Sequence, residues 1–220
     1  MVRGFFVTGT DTGVGKTVVS AALLLRLREH TAVRYWKPIQ TGMEQDDDTN
    51  EVRVLARAAE REIRPDGIRL ERPVSPHLAA RLAGIRIDLD ALSLPASSND
   101  SAAWIVEGAG GVLVPINERE LMVDLMRRIG LPVVIAARST LGTINHTLLT
   151  ISAVRTAGLR VAGVVMVGPP SADNREAIEH YGRTPVVGEL PVIEPLTPEG
   201  LSEWVTRSLD QAGHLAEALR

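Results

Sequence analysis

The chain has 220 residues, and 24 Lys plus Arg against 27 Asp plus Glu leave a formal charge of −3. That length suits one α/β domain over residues 1–220, and that charge excludes the broad basic face of a nucleic-acid binder while leaving room for a small anion in one pocket. A hydrophobic share of 45% excludes a disordered chain, and the lack of cysteine excludes disulfides, thiolate metal sites, iron–sulfur clusters and thiol nucleophiles.

Taken in chain order, the apolar pattern reads as strand, loop and helix, repeated. Phe5-Phe6-Val7 predicts a strand, Thr17–Arg28 a helix and Ala32–Trp36 a second strand. Residues 48–61 read as a helix, because Val52, Leu55, Ala56 and Ala59 recur at i, i+3, i+4 and i+7. Pro73–Leu94 reads as one or two short helices, and Pro95–Asp100 as a polar loop. Ala102–Val106 and Pro132–Ala137 are apolar throughout, as strands buried on both faces should be. Leu121–Ile129 and Asn145–Ala157 predict helices, the second closed by Gly158. Val161–Val167 and Pro185–Leu190 predict strands, Asn174–Tyr181 a helix, and the tail from Pro198 to Arg220 mostly helix. Such alternation predicts an α/β fold with a mostly parallel central sheet and helices on both faces. No run is apolar and long enough for a signal peptide or a membrane helix, so no membrane partner and a cytoplasmic location are expected. The five histidines are scattered without an i, i+4 pair, so no histidine metal site is expected.

In parallel sheets, ligands bind at the carboxyl ends of the strands. The loop after the first strand reads Gly9-Thr10-Asp11-Thr12-Gly13-Val14-Gly15-Lys16-Thr17. It is close to the phosphate-loop pattern G-x-x-x-x-G-K-[ST], with the first glycine at Gly9 rather than at position 10. Glycines let backbone N–H groups turn inward onto phosphate oxygens, and the following helix adds its positive end. Lys16 is expected to reach the β- and γ-phosphates of ATP, and the Thr17 hydroxyl to ligate Mg²⁺.

Three further loops carry candidate chemistry. Lys37, after the second strand, is either a solvated surface residue or a group pointing toward the nucleotide. In the second case it steadies charge on a transferring phosphoryl group or fixes a carboxylate-like substrate. Pro38 and Gly42 shape its loop and favour the functional reading. Asp46-Asp47-Asp48 enters a helix. Acids favour that position on their own account, and a Mg²⁺ ligand among the three is the functional alternative. Glu107, at the expected end of the Ala102–Val106 strand and followed by Gly108-Ala109-Gly110-Gly111, stands where a Walker-B-type acid belongs. Gly142-Thr143-Ile144-Asn145-His146 opens a helix whose free N–H groups suit a substrate carboxylate, although a helix start needs no function. His146 reads as a packing residue rather than a base.

Together these segments resemble the dethiobiotin synthetase family of phosphate-loop ligases. The matching stretches are Phe6 to Thr17, Lys37-Pro38-Ile39-Gln40-Thr41-Gly42, Ser75-Pro76-His77, Val106 to Gly111 and Leu141 to His146, in the family's order. The resemblance implies a phosphate-loop NTPase fold, usually a homodimer with the active site at the subunit interface. It implies conversion of 7,8-diaminononanoate, CO₂ and ATP to dethiobiotin, ADP and phosphate, through a carbamate and a carbamic-phosphoric anhydride. Carried over by motif, Lys16 and Lys37 act on the carbamate and phosphoryl group. Gly13, Val14, Gly15, Lys16, Thr17, Glu107, Gly108 and Gly110 hold the nucleotide, and Thr17, Asp48 and Glu107 hold Mg²⁺. Thr12, Lys37 and Thr41 line the substrate site, and Gly142, Ile144 and Asn145 meet the diamine's carboxylate. Pro191 and Val192 match the base-binding loop. The chain departs from the family at Val112, where an aromatic residue is frequent. It departs again at Val167-Gly168-Pro169-Pro170, where many members place an adenine-reading Asn, which leaves room for other triphosphates. Cobyrinate-amidating relatives normally add a glutaminase domain with a catalytic Cys, which this chain lacks. Partition-type switch ATPases carry a second Lys where Asp11 stands here.

Overall fold

The three apolar runs 5–7, 102–106 and 132–137 lie side by side, the first between the other two, at the centre of a parallel sheet. The computed structural model describes residues 2–95 and 102–219. The elements in chain order are β1 (Arg3–Gly9), α1 (Lys16–Arg28), β2 (Val33–Trp36), β3 (Ile39–Thr41), α2 (Asp48–Leu55), β4 (Ile63–Arg64), β5 (Ile68–Leu70), α3 (Pro76–Leu82) and β6 (Ala103–Gly111). There follow α4 (Met122–Ile129), β7 (Val133–Arg138), α5 (Thr143–Thr156), β8 (Val161–Val167), α6 (Ala172–Gly182), β9 (Val186–Leu190), α7 (Pro198–Ser208) and α8 (His214–Ala218). The central sheet has the order β4-β2-β6-β1-β7-β8-β9, and each neighbouring pair is parallel.

The strands are apolar on both faces because both faces are covered. Phe5 and Val7 join a core with α1, α2 and α7, while Phe6 joins a second core with Leu125 and Met126 of α4, Ile151 and Val154 of α5 and Ile178 of α6. Successive strand side chains point to opposite faces, so one run of three residues serves both cores. Gly158, at φ 77°, follows α5 in the left-handed conformation, and Leu159 N–H bonds back to Val154 O, as a glycine helix end requires.

The structure corrects several sequence expectations. The helix expected over 48–61 stops at Leu55. Arg57 then takes φ 46°, and Ile63–Arg64 adds an edge strand beside β2. Glu62 decides this: its carboxylate accepts from Ala59 N–H and from the Arg28 guanidinium at 2.9 and 3.0 Å. That tertiary tie to α1 outweighs a local helical period. The strand expected to end at Val106 continues to Gly111, so Glu107 sits inside β6 rather than in a loop after it. β3 and β5 form a separate two-stranded parallel sheet that apolar periodicity in such short runs did not reveal. The tail divides into α7 and α8 around Asp210 (φ 53°) and Gly213 (φ 77°). Of the expected loop Pro95–Asp100, all but Pro95 lies outside the described residues. Among the described residues, no helix is long and apolar enough to cross a membrane.

Candidate active site

The carboxyl ends of β1, β2 and β6 open onto one cavity of about 610 Å³. Its walls include Thr12, Gly13, Gly15, Lys16 and Thr17 from the first loop, Lys37 and Thr41 from the second, Asp48 from α2, and Glu107 and Gly110 from β6. Ten residues expected at the site are thus gathered in one place.

The glycine loop is shaped by its glycines. Gly13 and Gly15 take φ 69° and 87°, a region in which a side chain is strained. Gly15 is also the N-cap of α1, and a Cβ there would press on Val167 at 3.1 Å. The early glycine has its own reason: a Cβ on Gly9 would lie 2.8 Å from Asp11 O and from Val14. The loop's tight return needs its small residue at position 9, and the next residue ties the loop to the neighbouring strand through Thr10 N–H and Ala136 O at 3.0 Å. Lys16 folds over the loop and donates to Asp11 O at 3.1 Å. Burial lowers its pKa from the ordinary 10.5, and the nearby Lys37 cation lowers it further.

Facing the loop is a buried ionic cluster. Lys37 is 2% exposed and Glu107 fully buried. Lys37 Nζ lies 2.7 Å from Glu107 Oε1 and 2.5 Å from Asp48 Oδ2, and it donates to Gly108 O at 3.1 Å. Thr17 donates to Glu107 Oε1 at 3.1 Å, and Tyr35 donates to Oε2 at 3.0 Å. Burial acts to lower Lys37, but the two carboxylates outweigh it and the net shift is upward. Burial and then Glu107 push the Tyr35 hydroxyl well above its ordinary value, so it stays a donor. The register explains the meeting: Tyr35 and Trp36 of β2 pair with Ile105 and Val106 of β6, which sets Lys37 abreast of Glu107.

The three consecutive aspartates separate into three tasks. Asp47 caps α2 by accepting Asn50 N–H at 3.0 Å. Asp46 is braced by Gln40, which donates to its backbone carbonyl at 2.9 Å. Asp48 alone of the three reaches the Lys37 cluster. The hydroxyl of Thr17 and the carboxylates of Asp48 and Glu107 therefore come together from three elements. Among the described residues no group of three or more His, Asp or Glu is placed to hold a metal ion by itself. Two carboxylates and a hydroxyl are a hard, oxygen-only set that leaves positions for water and phosphate, and it fits Mg²⁺.

Other expected residues lie elsewhere. Val14 is in the core at 3% exposure, and Gly108 serves the cluster through its carbonyl. Gly142 caps α5, with Ile144 and Asn145 in its first turn, outside the cavity, and the preceding Leu141 is fully exposed. Pro191 and Val192 follow β9, also outside the cavity, and Val192 is exposed.

Sequence reasoning missed Tyr35, although its spacing of two from Lys37 places both on one side of an extended chain. It also missed Glu51, three residues past Asp48 and so on the same helix face. Glu51 lines the cavity, and burial followed by Asp48 and Glu107 raises its pKa above the ordinary 4.5. A carboxyl that binds its proton more tightly when folded opposes folding once ionised. Glu51→Gln should therefore raise Tm at neutral pH in nucleotide-free protein, and the gain should vanish as pH falls below 4.5. Paired thermal melts across that range check it.

A glycine loop joining strand to helix, ending in Lys16-Thr17 and facing a buried strand acid on a parallel sheet, defines a phosphate-loop nucleoside triphosphatase. The family model described as AAA domain matches residues 3–200. Septum site-determining protein MinD of Pyrococcus horikoshii, solved with Mg-ADP, shares the fold at a TM-score of 0.53 and 17% identity, over 99% of this chain and 95% of that one. The ATP-dependent dethiobiotin synthetase of Paramagnetospirillum magneticum is 49% identical over 203 residues, 91% of this chain and 95% of that protein. The bifunctional biotin biosynthesis protein of Bordetella avium is 50% identical over 92% of this chain, which spans 42% of that longer protein. The chain belongs to the ATP-dependent dethiobiotin synthetase family and is an ATP-dependent ligase of biotin synthesis.

Proposed function

We propose that this chain closes the ureido ring of dethiobiotin from 7,8-diaminononanoate and CO₂, using ATP and releasing ADP and phosphate. The observation that carries the reading is the buried Lys37, held by Glu107 and Asp48 across one cavity from the phosphate loop. A cation fixed there by two carboxylates meets charge as it develops and needs no reorganisation.

One amine of the substrate captures CO₂ as a carbamate. The carbamate oxygen takes the γ-phosphoryl group, giving a carbamic-phosphoric anhydride. The second amine then attacks the carbonyl carbon and expels phosphate. Lys16 and Lys37 steady the carbamate and the transferring group, and Thr12 and Thr41 line the diamine. The glycine loop holds the phosphates, so that the protein's main contribution is positioning and charge. Thr17, Asp48 and Glu107 would hold Mg²⁺, which when bound neutralises phosphate charge. The reading extends to a cytoplasmic homodimer of one phosphate-loop domain per chain. In it, Gly142, Ile144 and Asn145 meet the substrate carboxylate across the subunit boundary, and Pro191 and Val192 flank the base.

The test is ADP release with ATP and Mg²⁺, with and without 7,8-diaminononanoate and bicarbonate. Release that requires both, with dethiobiotin identified by mass spectrometry, supports the reading. Release indifferent to the diamine overturns it.

A further inference from the structure

Ser75-Pro76-His77 is the one stretch of the family resemblance to which no task has been attached. Ser75 is the N-cap of α3, where a serine hydroxyl ordinarily accepts a backbone N–H of the first turn. It makes no such bond. Its Oγ lies instead 3.0 Å from His77 Nδ1. The two residues also face different spaces. Ser75 lines the reaction cavity. His77 lines a separate surface groove of about 350 Å³, beside Arg81, Arg86 and Glu118. The pair therefore links the cavity to the groove.

The proposed chemistry makes protons that must leave: an amine and CO₂ give a carbamate and H⁺. Of the four carboxylates lining the cavity, Asp48 and Glu107 are already held by Lys37, which leaves Asp46 and Glu51 as the competing acceptors that Ser75 and His77 variants do not touch. We propose that Ser75 and His77 form a proton relay from the reacting amine to the solvent groove, an inference that rests on the dethiobiotin-forming reading. The amine lone pair forms the C–N bond to CO₂, and a C=O π pair moves to oxygen. The N–H bond of the resulting zwitterion breaks with its electrons kept by nitrogen. That proton passes to Ser75 Oγ as the Ser75 proton passes to Nδ1 of a His77 that carries its own proton on Nε2. The imidazolium gives a proton to water in the groove, and exchange with solvent restores the starting tautomer. Ser75 is the residue that touches substrate, and His77 acts through it. The charged groups lining the two spaces are Arg81, Arg86 and Glu118 in the groove, and Lys16, Lys37, Asp46, Asp48, Glu51 and Glu107 in the cavity.

The experiment compares the full-length chain with its Ser75→Ala, His77→Asn and His77→Ala variants. Dethiobiotin formation is followed across a broad pH range on both sides of neutrality, alongside ATP binding. The expected result is a fall in kcat of roughly 10²-fold near neutrality in each variant. The imidazole-controlled limb of the pH profile should disappear in both His77 variants, ATP binding should be unchanged, and added imidazole should partly rescue His77→Ala. His77→Asn keeps a hydrogen-bonding group beside Ser75, so it separates folding from proton transfer. Variants that keep the unaltered chain's pH profile, or that lose ATP binding together with rate, overturn the relay alone. An unaltered chain that makes no dethiobiotin overturns the relay together with the reading on which it rests.

Discussion

Lys37→Ala should slow ring closure by about 10²–10³-fold while leaving nucleotide binding within a few-fold of the unaltered chain. Its ammonium is the only group bonded to both Asp48 and Glu107 among the described residues, at 2.5 and 2.7 Å. Removing a preorganised cation of this kind costs about 10²–10³-fold in kcat. In the proposed reading nucleotide affinity is carried elsewhere, by the loop amides and Lys16, which donates to the loop carbonyl of Asp11 rather than to the cluster. Stability should fall too, because the fully buried Glu107 carboxylate is left without its cation. Breaking a buried pair from one side costs about 3–5 kcal/mol. Since the carboxylates lift Lys37 above the ordinary 10.5, its contribution is complete at neutral pH and fades only as pH climbs through the raised value. Magnesium should narrow the deficit by supplying positive charge to the same oxygens. Single-turnover rates, nucleotide titration and melts with and without Mg²⁺ check these outcomes. Ring closure at the unaltered rate would sink the role assigned to Lys37.

Glu107→Gln should be nearly as damaging, for a different reason. The side chain is fully buried and accepts from three residues: Lys37 and Thr17 on one oxygen and Tyr35 on the other. An amide keeps the shape but replaces one acceptor with an NH₂ donor. Either Tyr35 or the Lys37–Thr17 pair then meets a donor where it needs an acceptor, and Lys37 loses half of its counter-charge. The expected cost is about 3 kcal/mol of stability and roughly 10²-fold in kcat. A larger Mg²⁺ requirement should accompany it, because one of the two carboxylates in the oxygen set is gone. Tyr35→Phe makes a useful contrast. It removes one hydrogen bond without burying a new donor, so a loss of about 1–2 kcal/mol is expected with Mg²⁺ dependence unchanged. Calorimetric melts and Mg²⁺ titrations of activity distinguish the two. Equal effects from both variants would mean that Glu107 serves only as a hydrogen-bond anchor.

Features that local chemistry dictates were legible in the order of residues. Doubly buried parallel strands must be apolar throughout, so 5–7, 102–106 and 132–137 were legible as the sheet's centre. A phosphate loop needs glycine freedom, a lysine and a hydroxyl in fixed order, so Gly13, Gly15, Lys16 and Thr17 stood out from spacing alone as its candidates, and they line one cavity. The family's task followed from the ordered set of motifs. Only the tertiary structure decided which groups meet. Three adjacent aspartates look alike in a sequence, but helix phase gives Asp47 to the cap and Asp48 to Lys37. Glu107 looked like a strand end and lies inside β6, because the neighbouring β1 continues to pair with it, Gly9 against Gly111. The helix expected beyond Leu55 yields to the Arg28–Glu62 contact, which joins residues 34 apart in sequence. The Ser75–His77 contact spans two residues, yet the separate spaces that its members face are made by segments distant in sequence. Local propensity is a property of neighbouring residues, whereas register, helix phase and cavity walls arise from contacts that form only when the chain closes on itself.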